Sequence, residues 1–157
     1  MQKITPCLWF DNNALEACQF YTSVFPDSSI KNRAFYDENN THWNTWDILT
    51  IDFSILNTDF LAINWWPYFK FTPATSFMIP SKNQEEIEYY YDKLSVSPDA
   101  EQCGWLLDKY WLSWQLIPEN LNSLLSSPDK IKSWKVMKAL MEMKRIDINK
   151  LEDAYNS

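Results

Sequence analysis

Residues 47–66 of the chain read DILTIDFSILNTDFLAINWW, and this stretch decides the fold. Apolar residues alternate with polar ones in its first half, as in a strand with one buried face. Asn57-Thr58-Asp59 supplies the residues of a tight turn, and Phe60–Trp66 returns as a second strand that Pro67 closes. We therefore predict an antiparallel hairpin, whose first strand buries Leu49, Ile51, Phe53 and Ile55.

The residues before the hairpin predict a strand, a helix and another strand. Ile4–Phe10 is apolar and rich in strand formers. Asn13 and Glu16 have the spacing of a capping box and precede a helical apolar stripe, which Pro26 ends. Ser29–Tyr36 is the next strand. With the hairpin, the first module is strand–helix–strand–strand–strand.

A second cycle of the same kind follows. Ala74–Ile79 predicts a strand, and Ser81 with Gln84 predicts the cap of a helix. Gln102–Leu107 and Leu112–Ile117 predict two strands joined by a turn at Asp108-Lys109. Sequence identity between the two cycles is negligible, so the repeat is one of pattern.

Three short helices are expected after residue 118. Pro118–Ser126 predicts the first, Ser127-Pro128 the start of the second, and Asp147 the cap of the third. We expect them to pack on the sheet as an appendage. Residues 1–157 then form a single domain, with modules at about 1–67 and 72–118 and helices at about 119–156. The second helix carries an apolar stripe of Ile131, Trp134, Met137 and Met141.

Composition excludes several kinds of site. The 157 residues include one histidine (His42), one glycine (Gly104) and nine tryptophans. A single glycine cannot form a glycine-rich phosphate loop, and a single histidine cannot form a multi-histidine metal site. The net charge of −7 argues against a nucleic-acid partner. A run of basic residues near the C-terminus is interpreted as a solvated helix face, with an anion or partner site as the alternative.

The cysteines and the hydropathy indicate a cytoplasmic protein without a membrane partner. Cys7, Cys18 and Cys103 are an odd number without framework spacing, which favours reduced thiols. No run approaches the ~20 apolar residues of a membrane span. We interpret Cys103 as a packed structural thiol and His42 as a surface histidine.

Four blocks of sequence resemble one superfamily. They lie at residues 4–26, 69–77, 102–115 and 137–155, and include Ile4-Thr5-Pro6-Cys7-Leu8-Trp9-Phe10-Asp11, Phe69-Lys70-Phe71-Thr72-Pro73-Ala74, Gln102-Cys103-Gly104-Trp105-Leu106 and Ile146-Asp147-Ile148. The chain resembles the vicinal-oxygen-chelate superfamily (glyoxalase/bleomycin resistance/dioxygenase). Within it, the chain is most similar to the PhnB-like branch often labelled 3-demethylubiquinone-9 3-methyltransferase.

The resemblance implies an α+β fold in which two βαβββ modules form a cupped mixed sheet around a cleft, followed here by the helical appendage. It also implies a homodimer. Active relatives place one metal in the cleft, and the matching positions here fall near Thr5, Asn64, Ala74 to Ser76 and Gln115. Histidine and glutamate are absent from these positions, so we expect neither a metal nor another cofactor. No glycine-rich loop is present to hold an adenosyl cofactor.

The candidate ligand-binding residues lie on the strands that line the cleft in the resembled superfamily. We expect the floor of the cleft to hold Trp9, Asn64, Ser76 and Gln115, and its mouth to hold Trp66 and Phe71. The favoured function is a metal-free glyoxalase-like protein that binds a small apolar or aromatic molecule. The alternatives are a metal-independent enzyme and a structural or interaction module whose cleft is filled by indoles.

Overall fold

The computed structural model describes residues 4–40 and 42–157. The chain divides into two compact units, unit one (Met1–Lys70) and unit two (Phe71–Ser157). None of the helices formed by the described residues is long and apolar enough to cross a membrane. The α+β class is confirmed, since each unit combines a small mixed sheet with helices.

Unit one has the predicted strand–helix–strand–strand–strand order. Its four strands hydrogen-bond in the order β1-β4-β3-β2, with β1 parallel to β4 and the other two pairs antiparallel. The hairpin predicted from residues 47–66 is the β3–β4 pair. The elements are β1 (Cys7–Phe10), α1 (Ala14–Val24), β2 (Ser29–Phe35), β3 (Ile48–Ile55) and β4 (Thr58–Asn64).

The core of unit one lies between α1 and one face of this sheet. Ile51 pairs with Ala62 and Phe53 with Phe60, so the buried residues of the hairpin lie on the same face. The helix stripe predicted from the sequence is the buried stripe of α1: Ala14, Ala17, Cys18, Tyr21 and Val24. The opposite face carries the side chains of Trp9, Leu61 and Ile63, which are partly exposed.

Unit two contains one strand fewer among its described residues. Its sheet has the order β5-β7-β6, with β5 parallel and β6 antiparallel to the central β7. The second module is therefore strand–helix–strand–strand. The elements are β5 (Ser76–Ser81), α2 (Gln84–Leu94), β6 (Trp105–Leu107), β7 (Ser113–Pro118), α3 (Leu121–Leu125), α4 (Lys130–Met141) and α5 (Ile148–Asn156).

Strand β6 is shorter than the predicted strand at Gln102–Leu107 because the backbone turns before it. Cys103 and Gly104 have φ values of 51° and 90°, in the left-handed region that a strand does not use. Their N–H groups donate to the carbonyls of Met143 and Lys144. A Cβ at position 104 would lie 2.7 Å from the Leu116 carbonyl oxygen, so only glycine fits here.

Two predicted helix caps are displaced by two residues. The α2 cap is Asn83, whose Oδ1 accepts from the N–H of Glu86, and Ser81 instead donates to the Ile79 carbonyl. The α4 cap is Asp129, which accepts from the N–H groups of Ile131 and Lys132. Both true caps have side-chain oxygens that reach the free N–H groups of the first turn. The cap of α5 at Asp147 is confirmed.

The helices after residue 118 pack within unit two, but the α4 stripe predicted from the sequence is not its packing face. Val136 and Leu140 are the buried residues of α4. The stripe of Ile131, Trp134, Met137 and Met141 is exposed. The helix has apolar residues on both sides, so its pattern does not show which side is covered.

Candidate functional site

Trp9 lies on the face of the unit-one sheet that is opposite to α1. It pairs with Ile63 in the β1–β4 register and is half-buried. Its Nε1 donates a 2.8 Å hydrogen bond to the Trp66 carbonyl oxygen. Its ring meets those of Phe69 and Trp65 edge to face, with centroid distances of 5.2 and 6.5 Å. The Trp9 indole is thereby fixed by a hydrogen bond at its N–H group and by ring contacts along its apolar surface.

Trp66 lies two residues beyond the end of β4, where it packs against rings from the β2–β3 loop and from the segment that follows β4. Its centroid is 5.1 Å from His42, 5.9 Å from Trp43 and 6.2 Å from Tyr68. Its side chain is half-buried. We define the aromatic cluster of unit one by these packed rings: Trp9, Tyr36, His42, Trp43, Trp65, Trp66, Tyr68 and Phe69.

Tyr36 is the buried member of this cluster. Its ring stacks on Trp43 at 5.5 Å with an interplanar angle of 11°, and its hydroxyl donates to the Asn64 carbonyl at 2.8 Å. Burial and the nearby Asp47 carboxylate raise the pKa of the Tyr36 phenol above its ordinary value. The hydroxyl therefore stays protonated at neutral pH and acts as a fixed donor.

The Asn64 side chain is turned toward α1, in the core. Its Oδ1 accepts from the N–H of Ala14 and its Nδ2 donates to the Ile48 carbonyl, both at 2.9 Å. Asn64 pairs with Phe10, so Asn64 and Trp9 lie on opposite faces of the sheet. This corrects the expectation that they share one floor. Asn13 occupies the N-cap of α1, but within the described chain it makes no side-chain capping bond.

Ser76 and Gln115 come together on one face of the unit-two sheet. Gln115 Nε2 donates a 2.7 Å hydrogen bond to Ser76 Oγ, and both side chains are half-buried. Trp105 lies beside them, because it pairs with Gln115 in the β6–β7 register. Phe71, at the start of unit two, is also half-buried. Two of the six candidate residues are thus in direct contact.

The donor set at the superfamily's metal positions does not suit a divalent metal. Thr5 offers a neutral hydroxyl, while the amides of Asn64 and Gln115 are engaged in the hydrogen bonds just described. Neutral amides and hydroxyls are weaker ligands than carboxylate or imidazole. Across residues 4–40 and 42–157, no three His, Cys, Asp or Glu side chains are grouped as a metal site would require. The residues at these positions do not fit the metal that the fold implies.

A buried carboxylate that sequence reasoning did not single out organises the β6–β7 turn. Asp108 is fully buried, and its Oδ1 accepts from the N–H groups of Tyr110 and Leu112. Its Oδ2 accepts from Trp114 Nε1 at 2.8 Å. The sequence signal was an Asp at a turn, which is common and does not reveal burial. Asp108 thus fixes both the turn and the central indole of the sheet.

A second buried carboxylate, Glu101, holds the C-terminal segment. Arg145 donates to it through Nε at 2.9 Å and through Nη2 at 3.0 Å, and Ser95 adds a bond of 2.7 Å. The Arg145 hydrogen bonds lower the pKa of the Glu101 carboxyl, and Ser95 contributes in the same direction. The guanidinium also lies over the Tyr91 ring, 4.6 Å from its centroid. Residues 44 apart in sequence form this pair, so no local pattern predicts it.

The cysteines do not form part of either group of candidate residues. Burial raises the pKa of the Cys18 thiol to about 12, which keeps it protonated and unreactive. Cys103 Sγ lies 3.9 Å from Met141 Sδ in a half-buried position. These placements agree with the interpretation of Cys103 as a packed thiol.

Comparisons with known proteins agree with the fold. The family model described as 3-demethylubiquinone-9 3-methyltransferase matches residues 2–117. A putative 3-demethylubiquinone-9 3-methyltransferase, the PhnB protein from Bacillus cereus, is 35% identical with a TM-score of 0.62, over 74% of this chain and 99% of that one. Protein PA1353 from Pseudomonas aeruginosa is 18% identical with a TM-score of 0.56, over 76% and 98%. No curated protein matches the chain.

The second of these structures supports the fold alone, whereas the first also shares more than a third of its residues. The family match ends at residue 117, so α3, α4 and α5 lie beyond it. It covers both modules, including Trp9, Trp66, Ser76 and Gln115. The chain belongs to the 3-demethylubiquinone-9 3-methyltransferase family, in its PhnB-like branch.

Proposed function

We propose that this chain binds a flat apolar or aromatic small molecule without a metal. The observation that carries the proposal is the aromatic cluster of unit one. Its Tyr36 is buried and stacks on Trp43, while Trp9 and Trp66 remain partly exposed. Rigid rings lose little conformational entropy on binding and offer large apolar area. Trp9 and Trp66 would form a stacking wall there. In unit two, taken by itself, Ser76 and Gln115 are candidates for contact with a polar group, and Phe71 is a candidate for apolar contact.

Uncharged polar groups suit such a ligand. The Ser76 hydroxyl and Gln115 amide could orient a carbonyl or hydroxyl without the free-energy penalty of burying an ion. Gly104, the only glycine, is buried with the Leu116 carbonyl beside it, so it cannot contribute to a glycine-rich cofactor loop. Methyl transfer from an adenosyl cofactor, which the family's description names, is therefore not part of the proposal.

A panel of planar aromatic compounds, screened by thermal shift and then by calorimetry, tests the binding. We expect at least one compound to raise the melting temperature and to quench tryptophan fluorescence. Trp66→Ala and Trp9→Ala should each weaken its binding by about tenfold or more, as for buried aromatic hot spots. The matched control is Trp111→Ala, because Trp111 is exposed in unit two.

The metal part of the proposal has its own measurement. Metal analysis of protein purified without added metal should give far less than one ion per chain, and a chelator should leave ligand binding unchanged. Stoichiometric zinc, nickel, iron or manganese whose removal abolishes binding would overturn the metal-free proposal.

A specific observation favours a second candidate, a structural module without a ligand. The centroid of the Trp66 ring lies 5.1 Å from that of His42 and 5.9 Å from that of Trp43. The Trp66 ring is therefore already packed against protein rings without a ligand. In that case Trp66→Ala would lower the free energy of unfolding by about 3–5 kcal/mol, as a core truncation does. That result, with no ligand from the panel, favours the structural candidate. A loss within about 1 kcal/mol together with lost binding favours the stacking wall.

A further inference from the structure

One side of α4 carries an exposed apolar stripe, which consists of Ile131, Trp134, Met137 and Met141. These four side chains have exposed fractions between 44% and 69%, whereas Val136 and Leu140 on the other side are buried. Exposed apolar patches of this kind mark interaction surfaces, and Trp and Met are enriched in interfaces. The stripe lies beyond residues 2–117, which the family model matches, so it is not part of that match.

Three lysines of the same helix are available to a partner. Residues 130–145 carry six basic side chains and one acidic one, although the whole chain has a net charge of −7. Contacts with a ring, a carbonyl and a carboxylate of unit two engage Lys132, Lys144 and Arg145. The other three are Lys130, Lys135 and Lys138, and no carboxylate of the described residues forms an ion pair with them.

Two of these lysines lie within the stripe and not only along its edge. Lys130, Trp134 and Lys138 are spaced by four residues, so they form one row along the exposed side of the helix. Lys138 Nζ lies 5.8 Å from the centroid of the Trp134 ring. A complementary surface must therefore offer apolar contact to the indole and negative charge one turn away on each side.

This arrangement favours an acidic protein segment over an anionic membrane. Insertion of Trp134 and Met141 among acyl chains would carry Lys138 toward them as well, and a charged side chain is costly there. A protein segment can instead place carboxylates opposite the lysines and apolar side chains opposite the indole. Ile131 to Met141 spans about 15 Å, which matches about three turns of a partner helix.

We propose that the apolar stripe of α4, with its three lysines, is a docking surface for an acidic amphipathic helix of a partner protein. The partner's apolar side chains pack on the stripe, and its carboxylates lie opposite Lys130, Lys135 and Lys138. The surface is small, so the complex is weak and reversible, with a Kd on the order of 10 μM. None of these residues is assigned to ligand binding, so either proposal can fail without the other.

A synthetic peptide tests the proposal on the full chain. The probe is a fluorescein-labelled peptide of about 18 residues, with leucine at every third or fourth position and glutamate on both sides of that stripe. Fluorescence anisotropy should show saturable binding that weakens severalfold as NaCl rises from about 0.05 M to about 0.5 M. A scrambled peptide of the same composition, and one with lysine in place of glutamate, should bind about tenfold more weakly or worse.

Two variants of α4 separate the apolar contribution from the charged one. Trp134→Gln with Met137→Gln should raise the Kd for the acidic peptide about tenfold or more, because it removes the central apolar contact. Lys130→Gln with Lys138→Gln should raise the Kd about fivefold at low salt and should lose most of the salt dependence. Glutamine favours helix, so both variants should keep α4 folded.

The matched control lies on α2 of the same unit. Tyr89→Gln with Lys93→Gln removes another exposed ring and a lysine whose Nζ lies 5.9 Å from the ring centroid. This variant should bind the acidic peptide as wild type does. Circular dichroism and thermal melts should show that every variant folds.

Loss of peptide binding in both α4 variants, with the α2 control unchanged, supports the proposal. An acidic peptide that does not bind wild type overturns it, and so does equal binding of the scrambled peptide or binding that both α4 variants retain.

Two other occupants of the stripe are tested in parallel. Co-sedimentation with phosphatidylcholine vesicles that contain about 30% phosphatidylserine tests a lipid surface, and sedimentation velocity tests a second copy of the chain. Vesicle binding or self-association that the α4 variants abolish would assign the stripe to that occupant and overturn the proposal.

Discussion

Gln115 Nε2 donates a 2.7 Å hydrogen bond to Ser76 Oγ, across the neighbouring parallel strands β7 and β5. The sequence placed both residues among the candidate binding residues, and the fold brings them into contact. Their bond leaves acceptor capacity on the Gln115 amide oxygen and on the serine hydroxyl. The pair is therefore a candidate contact for a polar group within unit two.

Gln115→Ala should lower the free energy of unfolding by about 0.5–1.5 kcal/mol, because it removes one neutral, half-buried hydrogen bond. Ser76→Ala should have a similar effect. In urea denaturation, the double variant should lose less than the sum of the two single losses, because both remove the same bond. Gln19→Ala, on the exposed side of α1, serves as the control. Additive losses would contradict a direct Gln115–Ser76 interaction.

Asn64→Ala should lower the free energy of unfolding by about 2–3 kcal/mol. The change removes the acceptor for the buried Ala14 N–H and the donor for the part-buried Ile48 carbonyl, and leaves both groups without these partners. Thermal or urea unfolding measures the loss, with the exposed Asn149→Ala in α5 as the comparison. If Asn64→Ala abolished ligand binding while stability stayed at the wild-type level, Asn64 would act on the ligand and not on the fold.

Asp108→Ala should lower the free energy of unfolding by about 3 kcal/mol or more, since three donors lose a charged acceptor in a fully buried position. Asp108→Asn should cost less, because the amide keeps one oxygen for the N–H groups of Tyr110 and Leu112. Urea denaturation and near-UV circular dichroism check both variants. The exposed Glu119 supplies the control Glu119→Ala. Equal stability of all three variants would show that the carboxylate does not organise the turn.

The Glu101–Arg145 pair predicts a loss of stability in acid. The pKa of Glu101 is lowered in the folded chain, so the unfolded chain binds the proton more readily. The stabilisation is therefore present above the ordinary glutamate pKa of about 4.3 and is lost as pH falls through the lower, folded value. Melting temperatures measured between pH 7 and pH 2 should show this loss.

Glu101→Gln should remove that part of the acid dependence and lower stability at pH 7. The decrease should be about 2–3 kcal/mol, below the range for fully buried pairs, because Arg145 retains solvent contact. Asp99→Asn, an exposed neighbour, should leave the pH profile unchanged. An unaltered acid loss in Glu101→Gln would assign the effect to other carboxyl groups.

Local periodicity predicted most elements of unit one and their buried faces. The alternation at Ile51 and Phe53 and the stripe through Ala17 and Tyr21 both correspond to buried positions. Burial repeats every two residues along a strand and about every 3.6 along a helix, so a short stretch of sequence is enough to predict it. The helix cap at Asp147 was predictable for the same reason, since it bonds a residue three positions away.

The candidate site was predictable only in part. Ser76 and Gln115 share a face because of the pairing of β5 with β7, and the family resemblance, not a local pattern, had grouped them. Asn64 was expected on the floor of the cleft, but its side chain accepts from the N–H of Ala14, 50 residues away, and no local pattern predicts this contact. The sequence around Asp108 indicated only a turn. Its burial could not be predicted, because it depends on Trp114 and on the surrounding sheet.

The sequence by itself determined the order of elements, the positions of the strands and the residues available for chemistry. Tertiary structure alone decided which of two apolar sides of α4 is covered, which places Val136 and Leu140 inside and Ile131 and Trp134 outside. It also paired Glu101 with Arg145. The physical reason is that amphipathic patterns record where apolar side chains lie along a chain, whereas burial depends on which distant surface packs against them.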